Sequence, residues 1–226
     1  MTVWRTARLE LVPVTFQMVE AVMLGRRSEA ESLAGARMPE KWPNPELVER
    51  AFTVSLEEIR ADPEGRLWGA RVMIALGERS ERRVVGSVVF AGKPDDSGAV
   101  EMAYGIEEGS HGLGYATEGV SACVAWAFEQ PGVRAVRATT FGWHRPSMRV
   151  IEKVGMDRVG VREHETMGEL VVYEVQRPPR ALASLHGRQV WAISYTSSWC
   201  GEGGSRCNYS VRLVFPFKQT MAWRPR

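Results

Sequence analysis

Cysteine is scarce in this 226-residue chain: Cys123, Cys200 and Cys207 are all there are. An odd number without a Cys-x-x-Cys pair indicates neither a disulfide framework nor a zinc site, and Cys123, on an apolar helical stripe, reads as core packing. Long apolar runs are absent too. None approaches the roughly 20 residues of a membrane span, and the N-terminus, with Arg5, Arg8 and Glu10 among short apolar groups, does not read as a secretory signal. A cytoplasmic protein without membrane contact is expected. Nor is one sign of charge spread over the chain. The formal net charge is +2, but residues 181–226 carry six basic side chains against one acidic, so the rest is slightly acidic and has no electrostatic footprint for nucleic acid. Lysine is rare, four against 25 arginines, a bias that suits a GC-rich gene.

What remains is an ordinary globular composition, 44% hydrophobic and 25% charged, at a length for one domain plus an appendage. Its most informative stretch is Gly109-Ser110-His111-Gly112-Leu113-Gly114-Tyr115-Ala116-Thr117-Glu118. Upstream, Val100, Met102, Tyr104 and Ile106 alternate with Glu101, Ala103 and Gly105, the period of a strand with two unlike faces. Downstream, Val120, Cys123, Val124, Ala127 and Phe128 recur at helical spacing. Between them Gly112 and Gly114 permit a tight turn and close approach of a ligand, and the free N–H groups of the helix's first turn attract an anion. No Lys-Ser or Lys-Thr pair follows the second glycine, which excludes a P-loop, and Thr117 stands where a Rossmann fingerprint needs its third glycine. Spacing alone leaves two readings, a diphosphate site or a structural turn.

Around this junction the chain alternates strand and helix signals. Arg8 to Leu11 reads as a strand, and Thr15 caps a helix with Phe16, Val19, Val22 and Met23 on one side. Asn44 and Pro45 open a second helix, carrying Leu47, Val48, Ala51, Phe52, Leu56 and Ile59 and ending before Pro63. Leu67 to Leu76 and Val84 to Phe90 are strand-like runs, and a turn over Gly92 to Gly98 leads into the Glu101 strand. Gln130-Pro131-Gly132 stops the central helix, and Val133 to Thr140 is a further strand. Pro146 opens a helix that Gly155 ends, and Val161 to Thr166 and Leu170 to Val175 pair across Met167-Gly168. The tail from Ala181, rich in Ser, Gly and Trp, loses this periodicity except over Tyr209 to Phe217. It reads either as an arm for a homodimer or as an accidental extension, such as a frame-shifted end.

Four segments, Glu101-Met102-Ala103-Tyr104-Gly105-Ile106, Gly112 to Glu118, Trp126-Ala127-Phe128 and Arg145 to Met156, together resemble the GNAT superfamily of acyl-CoA-dependent N-acyltransferases. The branch most resembled contains ribosomal-protein N-terminal acetyltransferases, and the match runs in order from about Arg5 to Arg177. The resemblance implies an α/β (α+β) fold with a mixed, mostly antiparallel central sheet flanked by helices. It also implies an acyltransferase domain over 1–180, with 181–226 as an extension, and acetyl-CoA as donor to a primary amine by direct attack. Acceptors left open are a protein N-terminus, a small amine such as a polyamine or amino acid, and an aminoglycoside-like drug. No metal is called for.

Carried onto this sequence, the resemblance puts the coenzyme A pyrophosphate on the backbone of Gly112, Gly114, Tyr115 and Ala116, with the Thr117 hydroxyl as a further donor. Ala103 to Ile106, Tyr104 included, would splay from the neighbouring strand and pair with the pantetheine arm, with an oxyanion contact near Met102 or Ala103. Glu101 is the leading general base, on the strand face opposite Met102 and Tyr104 and beside an apolar pocket that would desolvate it. A salt-bridged strand glutamate is the plainer alternative; Glu163 and Glu165 are rivals, and Glu118 reads as structural. Ser147 stands at the branch's serine position near the sulfur, as proton donor or as a helix-start hydroxyl. His144 replaces the branch's pantetheine-contacting Asn, as donor to the same carbonyl, as acid, or as a surface histidine. Gly109 replaces a Gln or Arg phosphate contact, with His111 or Arg149 as substitutes. Phe16, Trp42, Phe52 and Trp68 line an acceptor pocket or belong to the core; Glu46, Glu49, Glu57 and Glu58 attract a polycation or are a solvated face. A weakly catalytic acyl-CoA sensor is the runner-up, and nucleic-acid binding by the basic tail ranks last.

Overall fold

A computed structural model describes residues 2–43, 56–77, 81–164 and 168–178, with the backbone alone of 193–195 and 211–213. The chain divides into two compact units, Met1–Arg177 and Pro178–Arg226. In the first, eight strands form one sheet in the order β1-β2-β3-β4-β5-β6-β8-β7. The strands are β1 (Trp4–Arg5), β2 (Leu9–Pro13), β3 (Arg71–Leu76), β4 (Arg82–Phe90), β5 (Ala99–Ile106), β6 (Ala135–Phe141), β7 (Asp157–His164) and β8 (Gly168–Gln176). Every neighbouring pair is antiparallel except β5 with β6. In the second unit β9 (Ile193–Tyr195) pairs antiparallel with β10 (Val211–Leu213), which falls within the Tyr209 to Phe217 stretch.

Each face of the sheet buries its own core. One face packs under α5 (Tyr115–Glu129) and α6 (Arg145–Lys153), with Leu9, Leu11, Met73, Val88, Phe90, Val100, Met102, Val120, Cys123 and Ile151 buried together. The other packs Val14, Val72, Ile74, Val84 and Val89 against α1 (Phe16–Met23) and α3 (Leu56–Ala61). At about 1.5–3 kcal/mol for each large apolar side chain taken from water, these clusters dominate the folding free energy.

Local chemistry sets the ends. The Thr15 hydroxyl accepts from the Met18 N–H at 3.2 Å to start α1, as expected. A helix the sequence did not suggest, α2 (Arg27–Ala34), ends at Gly35 in the left-handed region. The Leu67 to Leu76 strand begins only at Arg71, because the Asp62 carboxylate accepts from the Gly65 N–H and holds a short helical turn, α4 (Pro63–Arg66), before it. The start of the second expected helix, with Phe52, Glu46 and Glu49, lies outside the described residues; its Leu56 and Ile59 fall on α3. Phe16 and Trp42 pack against the second core and Trp68 against the first, where its ring centroid is 4.7 Å from that of Trp126.

Candidate active site

Register opens a cleft in the sheet. β5 pairs with β6 only from Ala99↔Ala135 to Met102↔Ala138; beyond that β5 continues on β4 alone, to Gly86↔Ile106, and β6 on β8 alone, to Phe141↔Leu170. The strands therefore part at Met102. The phase of the β4–β5 ladder tells which groups face the gap. The Ala91 N–H donates to Glu101 O at 2.8 Å and the Glu107 N–H to Val85 O at 2.9 Å, so odd-numbered residues of β5 turn to β4. Tyr104 and Ile106 turn their N–H and C=O groups into the gap, where an extended ligand bearing amides could pair as an added strand. The expected oxyanion contact is corrected by the same phase: the Ala103 N–H faces β4 and Met102 is still paired with β6, leaving Tyr104 as the first main-chain donor on the cleft side.

The glycine-rich turn follows directly. Buried Glu107 caps a 3-10 turn over Glu108–Ser110, accepts from the Gly109 N–H at 3.0 Å and from the Ser110 hydroxyl, and pairs with Arg83 at 2.9 Å. A Cβ at Gly109 would sit 3.3 Å from the Glu107 carboxylate, a physical reason for glycine at that position. His111 Nε2 lies 2.9 Å from the Ile106 carbonyl, at the mouth of the gap; Arg149 is exposed. Gly114, at φ 83°, is the N-cap of α5 and offers no side-chain cap, and the first N–H of α5 with a backbone partner is that of Glu118, to Gly114 O. The N–H groups of Tyr115, Ala116 and Thr117 thus stand at the positive end of a 15-residue helix with no intrahelical acceptor.

The turn is tethered from afar by residues the sequence did not single out. Arg8 donates through Nη1 to Leu113 O at 2.8 Å and through Nε to Glu118 Oε2 at 2.7 Å, its guanidinium 4.9 Å from the Tyr115 ring centroid. Glu118 also accepts from the Thr6 hydroxyl at 2.6 Å and the Arg8 N–H at 2.8 Å. Burial pushes the Glu118 carboxyl up, but Thr6 and Arg8 outweigh it and hold it below its usual range.

The remaining candidates sort onto two faces. Glu101 lies on the face away from α5, where Thr139 Oγ1 donates to Oε1 at 2.9 Å and Arg162 of β7 donates to Oε2 at 3.1 Å and Oε1 at 2.9 Å. That is an ion pair on the sheet surface rather than a carboxylate facing an apolar pocket, and Arg162, opposite Leu170 in the register, carried no sequence signal. On the α5 face the Tyr104 hydroxyl reaches α6, 2.9 Å from Ser147 Oγ and 3.0 Å from Ser147 O. Burial pushes the Tyr104 phenol above its usual range, a hydrogen bond with Ser147 pulling the other way. His144 is the exposed N-cap of α6; its side chain makes no capping bond, and its ring tilts against exposed Trp143 instead of joining Tyr104 and Ser147. Glu163 is exposed opposite Glu169, and Glu165 lies outside the described residues. Cys123 is fully buried, which pushes its thiol up to about 12 and removes it as a nucleophile.

Residues 8–157 match the family described as acetyltransferase (GNAT) domain. The chain belongs to the GNAT acetyltransferase family. It is 21% identical over 155 residues to an uncharacterized N-acetyltransferase, YjdG, of Bacillus subtilis, covering 69% of this chain and 89% of that protein. Among solved structures it resembles the ribosomal-protein-S5-alanine acetyltransferase of Vibrio fischeri, with TM-score 0.52 and 13% identity, over 78% of this chain and 97% of that one. RimL, a ribosomal L7/L12 alpha-N-protein acetyltransferase solved with coenzyme A, gives TM-score 0.51 and 16% identity, over 77% of this chain and 98% of that one. The GNAT fold is thus established for the first unit, and the expected mixed, mostly antiparallel sheet is the one observed. Among the described residues no helix is long and apolar enough to cross a membrane, and no three His, Cys, Asp or Glu side chains are placed to share a metal.

Proposed function

We propose that this GNAT protein is an acetyl-CoA-dependent N-acetyltransferase that passes the acetyl group to a primary amine by direct attack. The observation that carries the reading is the run of one element into the next: a strand pair that parts at Met102, then a turn that leaves the Tyr115, Ala116 and Thr117 N–H groups unpaired. Gly112 has no heavy atom within 4 Å of where a Cβ would stand, so a diphosphate can lie against the bare backbone. In this reading the donor's pyrophosphate rests on Gly112, Gly114 and the three free amides, with the Thr117 hydroxyl beside it. Its pantetheine arm pairs with Tyr104 and Ile106, and its thioester supplies an activated acetyl group. His111, already on Ile106 O, closes the mouth of the cleft. His144, in the family's asparagine place, is exposed to meet the pantetheine arm.

Within the chain, Glu101 takes the acceptor's proton. A carboxylate has about four acceptor positions, and Arg162 and Thr139 fill three, which leaves one for an incoming N–H or a bridging water. The Tyr104 N–H, the first past the β5–β6 ladder, faces the developing oxyanion, and Ser147 donates to the departing sulfur. The acceptor class is an amine free to approach the Glu101 face, a protein N-terminus among them, as the names of the ribosomal-protein acetyltransferases suggest.

Calorimetric titration with acetyl-CoA, coenzyme A, ATP and NADH, on wild type and Gly114→Val, tests the donor site. Selective binding of the two coenzyme A species, lost in the valine variant, is expected; indifference to the substitution would refute it. Thiol release over a panel of peptides, polyamines and aminoglycosides then tests transfer, with Glu101→Gln lowering turnover about 100-fold at unchanged donor affinity. The lack of any hydrogen bond from His144 to Tyr104 or Ser147 favours a second reading, an acyl-CoA sensor, which predicts donor binding with no thiol release on the whole panel.

A further inference from the structure

We infer that Tyr104 is a positioning residue for Ser147: by exchanging one hydrogen bond for another, its hydroxyl turns the Ser147 proton toward the donor's sulfur. The inference rests on the transferase reading above and gives its serine a control. The phenol carries one proton and has two acceptors in reach, Ser147 O at 3.0 Å and Ser147 Oγ at 2.9 Å. When it donates to the carbonyl, the Ser147 hydroxyl is free to donate back to the phenol oxygen, and the serine proton is engaged. When it donates to Oγ instead, the serine proton is released and Oγ becomes the acceptor of a short chain that ends on whatever lies beyond. The two patterns differ by rotation of two O–H bonds and break no covalent bond. The carbonyl left behind sits within α6 and keeps a place in that helix's own ladder.

Three features make Tyr104 suited to this. Its backbone is fixed by β4 through the Val88↔Tyr104 register, while its ring packs against the first core, so the hydroxyl alone is free to turn. Its main-chain groups line the cleft in which the pantetheine arm is proposed to lie, so phenol and donor share one wall. Burial keeps the phenol neutral, and so a donor, at physiological pH. A thiolate gains more from a hydroxyl whose own oxygen is accepting a hydrogen bond, because chained hydrogen bonds polarise one another.

The test reads Tyr104 directly, in protein labelled with 13Cζ-tyrosine and assigned by comparison with Tyr104→Phe. Addition of coenzyme A should move the Tyr104 resonance, desulfo-coenzyme A should not, and Ser147→Ala should abolish the difference, with calorimetry showing that both ligands bind. Equal responses to the two ligands overturn the inference and leave the donor site standing. Failure of coenzyme A to bind overturns the donor site and takes the inference with it. In turnover, Tyr104→Phe should lower kcat about tenfold with KM for acetyl-CoA changed less than about twofold, and the double variant with Ser147→Ala should fall no further than Ser147→Ala alone. Losses that multiply would mean independent roles and overturn it. Should Tyr104→Phe fail to fold, the resonance is assigned by elimination from Phe variants of the other four tyrosines, and the Ser147→Ala comparison still decides between the outcomes.

Discussion

The Arg71 guanidinium lies 3.6 Å from the Trp4 ring centroid and 5.9 Å from that of Trp126, and only 8% of the residue is exposed. Its Nε has no hydrogen-bond partner, and burial lowers the group to about 10. Ring contacts of this kind are worth about 0.5–2 kcal/mol, whereas an uncompensated buried charge costs several, so the charge is a net cost to the fold and the packing of its stem is the benefit. Arg71→Met should therefore leave stability unchanged or raise it by about 1 kcal/mol, and Arg71→Ala should lower it; urea midpoints would show both. Cys123 beside it has the opposite sign with pH. Its thiol is raised from 9.0 to about 12, so above pH 9 the unfolded chain loses a proton that the folded chain keeps. Stability from this group is full below 9 and falls by about 1.4 kcal/mol per pH unit as pH rises. Above 10 Arg71 begins to lose its proton in the folded state first, which works the other way, so pH 9–10 isolates the thiol. Cys123→Ala should flatten the decline there, and an unchanged slope would show that the thiol is not its source. The place of Cys123 was legible from its helical stripe. That of Arg71 was not, because an arginine in an apolar run says nothing until Trp4 and Trp126 arrive from other elements.

At the level of elements, α5 and the turn before it hold the proposed donor site, and their position depends on a tether to the turn that joins β1 and β2. Thr6 and Arg8 bind Glu118 in the first turn of α5, and Arg8 also holds Leu113 O in the turn itself. Glu118→Gln keeps the shape and removes the charge that organises three donors. It should cost about 1–3 kcal/mol in thermal unfolding and weaken acetyl-CoA in calorimetry, since the turn would lose its fixed aim. Because the folded carboxyl is held below its usual 4.5, this stability is present above 4.5 and is lost as pH falls through the folded value. An acid unfolding curve with the same shape in wild type and variant would argue against the tether. Deeper along the helix, a Cβ at Gly119 would overlap Met73 Sδ, so Gly119→Val should push α5 off the sheet and lower stability by about 1–3 kcal/mol. Signals carried by neighbours in sequence were readable: the Thr15 cap, the Gly114 start of α5, the Gln130-Pro131 stop and Pro146 at the head of α6 all stand as expected. Signals carried by distant partners were not. Nothing near Arg162 marks it as the partner of Glu101, and the polar run of α2 has too few apolar residues to announce a helix.

Across the whole molecule, the groups assigned to the donor site, from the Arg8 tether through β5, the turn and α5 to Ser147, all belong to Met1–Arg177. The basic excess belongs to the other unit, with six basic side chains against one acidic in residues 181–226. Charge and chemistry are therefore carried by different parts of the chain, and a cut between them should separate two sets of properties. A chain ending at Pro178 should keep its acetyl-CoA dissociation constant within about twofold, because every group assigned to the donor's phosphates stays in the shorter chain. The same cut should make the protein acidic, since what remains carries slightly more acidic than basic groups. Light scattering before and after the cut reads a further property of the tail: a fall in the number of chains per particle would make it an oligomerisation arm, and an unchanged number would exclude that role. If donor affinity instead dropped by an order of magnitude at low salt and recovered nothing at high salt, the tail would be supplying a contact rather than a field. The donor site would then have to be redrawn to include it.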